Sequence, residues 1–547
     1  MFLLLLLFAI VAQANWVIKF KDGVDAQDFA RSHDLEYIGP FSVLPDYFIF
    51  KARKSKLARR ILESPHVEWA EEQRMRPRVF PRTGIDPLYD RQWHLHTSPI
   101  ALDTDRIPLN LTGKDVTIAI VDDGLQHIHP DISPNYAALH SWNFNADRAD
   151  PAPTDTSDSH GTAAAGVAAA ARFNNYCGRG VAPDAKIAGI RVIAEPVTDM
   201  TEAAALTYHV MGNVDIVSCS WGPDDDGATM AGPGLLTERA MALYAGGLRG
   251  RMGRGTIYIW AAGNGRDSAD TCAFDGYASS PFAIAIGALD RRGERSWYSE
   301  GCSALMAVTP SSGNGAGIVT CDLLGQPGYS PNDCTDQFGG TSAAAPMAAG
   351  VVAIMLQKRP ELTWRDVKHI IAKYSTQIQT SDPDWHVNAA GYHHSHNYGF
   401  GLLKLTSLLH GVEVHQLVPP QYKLYTSGMQ IVRVPNGYIP YTFDILVNNS
   451  GINFIEHVQL TCSLDHTSRG SVTIDLRSPE GAISKLAEER PFDHNHNYPP
   501  GGWTFTSVRH WGESHADGIW RVTIGDTNPR TSGKNHFHGY IFKIMGM

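Results

Sequence analysis

Beyond residues 2–11 the chain has no apolar run of 18 residues, which excludes a membrane-spanning helix from the rest of its 547 residues. An excess of positive charge is also missing. Its 46 lysines and arginines are outnumbered by 56 aspartates and glutamates, giving a net charge of −10, so nucleic acid and other polyanions are not expected partners. Cysteine is scarce and odd in number: with seven, at least one has no partner within the chain. His393, His394 and His396 have no cysteine or carboxylate at metal-ligand spacing and read as a solvated loop.

What is present divides into segments. The length exceeds one ordinary core and points to three or four units. Residues 2–11 are almost wholly apolar and lead into Ala12-Gln13-Ala14, so residues 1–14 read as a signal peptide, although the usual basic start is absent. The expected location is the secretory pathway or outside the cell, with no membrane anchor. There Asn110 and Asn448 would be glycosylation acceptors.

Residues 15–82 mix short β-type runs with amphipathic stretches, as in a small α+β unit. They end in Arg74, Arg76, Arg78 and Arg82 interleaved with Pro77 and Pro81, an extended and exposed basic segment. From 83 to 411, continuous apolar runs such as residues 116–121 and 214–217 alternate with alanine-rich helical stretches. That pattern predicts a parallel sheet covered on both faces, with chemistry at the carboxyl ends of its strands. Residues 412–547 return to short alternating segments separated by glycine and proline turns and are expected to form a β-sandwich.

Three polar residues of the central segment border its hydrophobic elements: Asp122, His160 and Ser342. A serine hydroxyl is a poor nucleophile until a histidine takes its proton, and the histidine needs a buried carboxylate to fix its tautomer and stabilise its cation. Asn264, just past another apolar run, has an amide suited to an oxyanion. A catalytically silent holder of basic peptides would not need all four groups. An α/β-hydrolase esterase would need a Gly-x-Ser-x-Gly elbow, which Ser342 lacks.

Asp122-Asp123-Gly124, His160-Gly161-Thr162 and Gly340-Thr341-Ser342-Ala343-Ala344-Ala345-Pro346 resemble the three signatures of the subtilases. Ser220-Trp221-Gly222-Pro223-Asp224-Asp225-Asp226-Gly227 and Trp297-Tyr298-Ser299-Glu300 are similar to those of the kexin/furin-like proprotein convertases. The resemblance covers nearly the whole chain. It implies a prodomain (15–82), an α/β subtilisin-like catalytic domain (83–411) and an all-β P domain (412–547). It also implies a calcium-dependent, monomeric serine endoprotease that cuts secretory proproteins after arginine or lysine, preferably at paired basic sites. The propeptide would be removed autocatalytically and act as an inhibitor.

By this resemblance Asp225 and Asp275 line the pocket for the residue before the cut, Asp123 the pocket for the second, and Asp199 and Glu202 that for the fourth. One calcium site would use Asp225, Asp270 and Glu300. Another would use Asp86, Asp131 and Asn174 with the carbonyls of Ala171, Tyr176 and Gly178. Cys177 would pair with Cys334 and Cys272 with Cys302, leaving Cys219, Cys321 and Cys462.

The sequence departs from the family in several places. Ser157 replaces a second-pocket acid, with Asp158 as the expected substitute, and Ala231 replaces the partner of Glu202. Losing one carboxylate of a pair weakens cation binding by about 1 kcal/mol or more. The expected selection is therefore firm at the first position, moderate at the second and relaxed at the fourth. Arg74 to Arg82 contains no adjacent basic pair, leaving Arg76, Arg78 and Arg82 as cleavage candidates, and Asn143, Asp147 and Asp150 only loosely match a third calcium site.

Overall fold

The computed structural model describes residues 16–44, 46–52, 61, 63–73, 86–208, 214–246, 249–325, 328–419, 423–427, 440–496, 498–528 and 536–547. The expected signal peptide and the candidates Arg76, Arg78 and Arg82 lie outside them. Contacts divide the chain into two units, Met1–Arg82 and Thr83–Met547.

In the first unit, β1 (Trp16–Phe20), β2 (Leu35–Pro40), β3 (Tyr47–Ala52) and β4 (Val67–Glu72) form an antiparallel sheet in the order β2-β3-β1-β4. Alternate residues of β1, Trp16, Ile18 and Phe20, are buried, as a sheet with one covered face requires. The cover is helix α1 (Ala26–Ser32), whose Phe29 and Ala30 join Ile18, Phe20 and Phe50 in one apolar cluster. Asp25 caps α1 by accepting from Gln27 and Asp28 N–H. This is the α+β unit expected of residues 15–82.

The second unit is built on a seven-stranded parallel sheet. Its strands are β5 (Thr117–Asp122), β6 (Trp142–Asn143), β7 (Lys186–Arg191), β8 (Ile216–Cys219), β9 (Ile257–Ala261), β10 (Ala283–Leu289) and β11 (Ala307–Pro310), in the order β11-β10-β9-β8-β5-β7-β6. Every residue of β5, β8, β9, β10 and β11 is buried, which is why these stretches are apolar without alternation. Helices α2 (His160–Ala169), α3 (Asp199–Thr207), α4 (Leu235–Ala245), α5 (Thr341–Lys358), α6 (Trp364–Tyr374) and α7 (Leu405–Val414) complete the layers. The alanines of α2 and α5 let these helices approach closely: a side chain at Gly350 of α5 would meet Ala168 O at 2.9 Å. The boundary expected at 411/412 falls inside α7, so that helix is not divided between domains.

Two short hairpins follow, β12 (Ile318–Cys321) with β13 (Cys334–Phe338) and β14 (His386–Val387) with β15 (His393–His394). The C-terminal part forms two antiparallel four-stranded sheets from β16 (Lys423–Ser427), β17 (Tyr441–Val447), β18 (Ile455–Asp465), β19 (Val472–Arg477), β20 (Ile483–Ala487), β21 (Trp503–Ser507), β22 (Gly518–Asp526) and β23 (His536–Gly546). Their orders are β16-β23-β18-β21 and β17-β22-β19-β20, the expected sandwich. Its junction with α6 is polar and buried: Arg365, at 2.7 Å, and His369, at 2.6 Å, converge on Glu456, while Lys368 Nζ lies 3.2 Å from His457 Nε2.

Disulfides join Cys177 to Cys334 and Cys272 to Cys302, while Cys219, Cys321 and Cys462 are buried thiols. The expected solvated histidine loop is corrected. His394 and His396 are buried, with His394 Nε2 3.0 Å from Leu305 O and His396 Nδ1 3.0 Å from Asp384. Among the described residues, no helix is long and apolar enough to cross a membrane.

Candidate active site

The carboxyl ends of the sheet strands carry the polar groups singled out above. Asp122 is the last residue of β5, and its Oδ1 lies 2.8 Å from Nδ1 of His160, the first residue of α2. Gly161 permits this approach, because a Cβ there would lie 2.2 Å from Gly124 O and 2.8 Å from Asp122 Cβ. Burial lowers the histidine's affinity for a proton, but the charges of Asp122 and Asp123 and the Asp122 hydrogen bond raise it above the ordinary imidazole value.

Ser342 is the second residue of α5, placed by Gly340 at a φ of 71°. Its Oγ donates to Ser220 O at 3.3 Å, so the hydroxyl is not directed at His160 in this state. Pro346 lies four residues on and has no N–H to offer the Ser342 carbonyl. That carbonyl instead accepts from Ser220 Oγ at 3.0 Å, which ties the backbone of Ser342 to the end of β8. Asn264 Oδ1 accepts from Thr341 N at 2.7 Å and Thr341 Oγ1 at 3.0 Å. With the amide oxygen held there, the Asn264 side chain also hydrogen-bonds the Asp225 carboxyl, which works against the rise that burial gives that group.

Asp123 and Asp275 are both buried or nearly so and both hold backbone N–H groups. Asp123 is more committed than expected: its carboxylate accepts His160 N at 3.0 Å and Gly161 N at 2.8 Å, capping α2, and burial with the Asp122 charge pushes it up to about 7. Asp275 accepts Tyr277 N at 2.7 Å and is pushed up to about 7 by burial. Such a carboxyl gains most from a cation brought to it.

Two of the acidic residues expected at the pockets have partners within the chain. Asp158 forms a buried ion pair with Arg191 at 2.7 Å. Asp199 accepts from Leu236 N, Thr237 N and Thr237 Oγ1, all within 2.9 Å, at the start of α4. Glu202 differs. It is buried, and its Oε1 has no hydrogen-bond partner among the described residues.

For calcium, Asp225, Asp270 and Glu300 would supply hard oxygen donors; burial raises all three above the usual carboxylate range, and neighbouring carboxylates add to the rise at Asp225 and Glu300. Gly265 N donates to Glu300 at 2.9 Å and Asn264 N to Asp225 at 2.7 Å, which links this cluster to Asn264. Arg490 of the sandwich reaches Asp270 at 3.2 Å, a contact that no local pattern announces. At the other candidate site, Asp86 accepts Phe173 N and Asn174 N, and Asn174 Nδ2 donates to Asp131 at 2.7 Å. His129, Asp131 and Cys321 lie close together, but His129 Nδ1 accepts Asp131 N while Nε2 is bonded to Asp333 O, so the ring is a structural brace. Asp150 of the loose third set is 3.2 Å from His127.

Family comparisons agree with this geometry. The subtilase family model matches residues 113–401, the proprotein convertase P-domain model residues 455–542, and the peptidase S8 pro-domain model residues 15–80. Proprotein convertase subtilisin/kexin type 7 of Mus musculus is 41% identical over 480 residues, covering 84% of this chain and 61% of that protein. Kexin of Saccharomyces cerevisiae is 39% identical over 473 residues, covering 84% and 56%. Proprotein convertase subtilisin/kexin type 4 of Mus musculus is 36% identical over 542 residues, covering 93% and 80%. The chain thus spans about three fifths of the first of these relatives. In fold it is similar to the crystal structure of a serine protease of Aeromonas sobria in complex with a chaperone, with a TM-score of 0.73 at 22% identity, covering 86% of this chain and 96% of that one. The chain belongs to the subtilase family, in its kexin/furin-like proprotein convertase branch.

Proposed function

We propose that this chain is a serine endoprotease that cuts proproteins of the secretory pathway after arginine or lysine, with calcium as its cofactor and its own prodomain as first substrate and inhibitor. The observation that carries the reading is the 2.8 Å bond between Asp122 and His160, in a chain that places Ser342 at the start of α5. Substrate binding turns the Ser342 hydroxyl from Ser220 O to His160 Nε2, which accepts its proton as Oγ attacks the scissile carbonyl. Asp122 holds Nδ1 and stabilises the imidazolium. The Ser342 N–H and the Asn264 amide receive the oxyanion, and His160 then returns the proton to the leaving amine.

Selection before the cut is assigned to Asp225 and Asp275 at the first position and Asp123 at the second. With Asp158 engaged by Arg191, only Asp123 remains there, so selection for a base is moderate. At the fourth position Glu202 acts alone opposite Ala231, and selection is relaxed. Calcium bound by Asp225, Asp270 and Glu300 supplies positive charge that lets these carboxylates stay ionised together; Asp86, Asp131 and Asn174 are the residues for a second ion.

The test is a fluorogenic Arg-aminomethylcoumarin peptide with wild-type and Ser342→Ala proteins. The wild type is expected to release coumarin and to lose its prodomain, and the variant to do neither. A variant that matures and cleaves at the wild-type rate would refute the assignment.

A further inference from the structure

Past residue 83 the sequence contains two adjacent basic pairs, Lys358-Arg359 and Arg291-Arg292. The first is closed to any protease. It ends helix α5, Pro360 follows it, and its charges are taken: Lys358 pairs with Glu413 at 2.9 Å, and Arg359 with Glu361 at 2.8 Å and with His415 O at 2.6 Å. The second pair is different. Arg291 and Arg292 are exposed, and neither side chain has a hydrogen bond or ion pair among the described residues.

This pair forms the tip of the turn that leaves β10. Gly293 N donates to Asp290 O at 2.9 Å, and Gly293 takes a φ of 77°, the left-handed corner that closes a tight turn. Asp290 is the latch, because its Oδ1 accepts both Arg292 N at 2.8 Å and Glu294 N at 3.1 Å. A polypeptide is bound extended, as an added strand, where its backbone is read. The closed turn does not offer that shape, and Leu289 and Asp290, which would fill the fourth and third positions, are buried. Once opened, the segment reads Leu289-Asp290-Arg291-Arg292 before Gly293. It then presents arginine at the first and second positions and a leucine that a relaxed fourth position tolerates. Exposed loop tips are where folded chains are nicked, at a rate that follows the population of the open form.

We propose that Arg291-Arg292 is an internal cleavage site, latched by Asp290 and cut after Arg292 by a second copy of this chain when the turn opens. The proposal rests on the protease reading. A second copy is required because β10 lies in the same sheet as β5, which ends at Asp122, so a folded molecule cannot carry this turn to its own Ser342. Ser342 Oγ of the second copy joins the Arg292 carbonyl carbon, the bond to Gly293 breaks, and the Gly293 nitrogen leaves with the proton held by His160. Water then frees Arg292 as a carboxylate. The cut parts Asp122, His160 and Asn264 from Ser342 along the chain, yet the disulfides Cys177–Cys334 and Cys272–Cys302 both span it. The product is a two-chain molecule held together by its disulfides.

The test uses full-length Ser342→Ala protein as the target and a small amount of wild type as the protease, with new chain ends identified by mass spectrometry. A new amino terminus at Gly293 should appear at a rate proportional to the wild type added. The nicked target should run as one band without reductant and separate into fragments with it. Arg292→Gln in the target should abolish the Gly293 terminus. Asp290→Ala in the target should speed its appearance about tenfold, the scale of one hydrogen bond to a charged acceptor. If that variant is instead cut at many sites, it has lost its fold, and the Ser342→Ala target alone decides. A target without a Gly293 terminus, under a wild type that hydrolyses the Arg-aminomethylcoumarin peptide, overturns the proposal, as does a Gly293 terminus that persists in Arg292→Gln. A wild type that leaves the coumarin peptide uncut refutes the protease reading itself.

Discussion

Asp270, a candidate calcium ligand, and Arg490, on the C-terminal sandwich, meet at 3.2 Å with the guanidinium buried. Arg490 also pairs with Asp493, donates to Thr229 O at 2.7 Å and lies 3.8 Å from the centre of the Phe274 ring. One planar cation thus joins two parts of the chain that are 220 residues apart in sequence. Arg490→Ala would leave the buried carboxylate of Asp270 without its cation, while Asp493 keeps Arg469 at 2.8 Å, a loss of about 3–5 kcal/mol. The denaturant midpoint should fall accordingly, and Arg490→Lys, which keeps the charge but not the fork, should fall less. Equal midpoints for wild type and alanine variant would show the pair to be dispensable.

Asp123 makes a second prediction, about pH. Cleavage requires neutral His160, whose proton affinity is raised by the charges of Asp122 and Asp123 against the opposing effect of burial. A raised value puts the acid limb of activity at higher pH. Asp123→Asn removes one of the raising charges, so the acid limb of kcat/KM should move to lower pH. Asparagine keeps one acceptor for the start of α2 and loses the other, at a cost of about 0.5–2 kcal/mol in stability. A profile that does not move would mean Asp123 carries no charge in the free enzyme.

These residues also show what sequence can convey. The apolar run of β5 and the residue at its end were readable because strand burial and terminal position are local properties, and Asp122, His160, Asn264 and Ser342 each announce themselves within a few positions. The use of a carboxylate is not local. Asp158 is answered by Arg191, 33 residues away, and Asp199 is taken by the start of α4, 37 or 38 residues away, so spacing alone left both looking available. The histidines after residue 392 read as solvated for the same reason: Asp384 and Arg509, which surround His396, come from the turn before β14 and from a sandwich loop.

Calcium yields a third prediction, best measured on Ser342→Ala so that self-cleavage cannot intervene. If Asp225, Asp270 and Glu300 hold an ion, added calcium should raise the melting temperature and a chelator should reverse the rise. Saturation at about 100 times the dissociation constant is worth about 2.7 kcal/mol. Glu300→Gln removes one of the negative donors and should shift the calcium dependence to higher concentration. A melting temperature indifferent to calcium in both proteins would exclude a resident ion.

The fourth position, proposed as relaxed, gives the last prediction. Glu202 is buried with Oε1 unpartnered among the described residues, and burial raises its pKa while Tyr277 acts against that rise. Ala231 borders the segment that carries Tyr277, because Gly276 N donates to Ala231 O at 2.9 Å. Ala231→Asp would place a second carboxylate beside the same pocket, and an arginine guanidinium between two carboxylates uses both edges of its fork. The ratio of kcat/KM for arginine over alanine at the fourth position should rise about tenfold, or about 1.4 kcal/mol. Selection at the first position is the internal control. If the new aspartate acted only by making the whole cleft more negative, preference for arginine at the first position would rise equally, and a rise confined to the fourth would locate the effect in the Glu202 pocket.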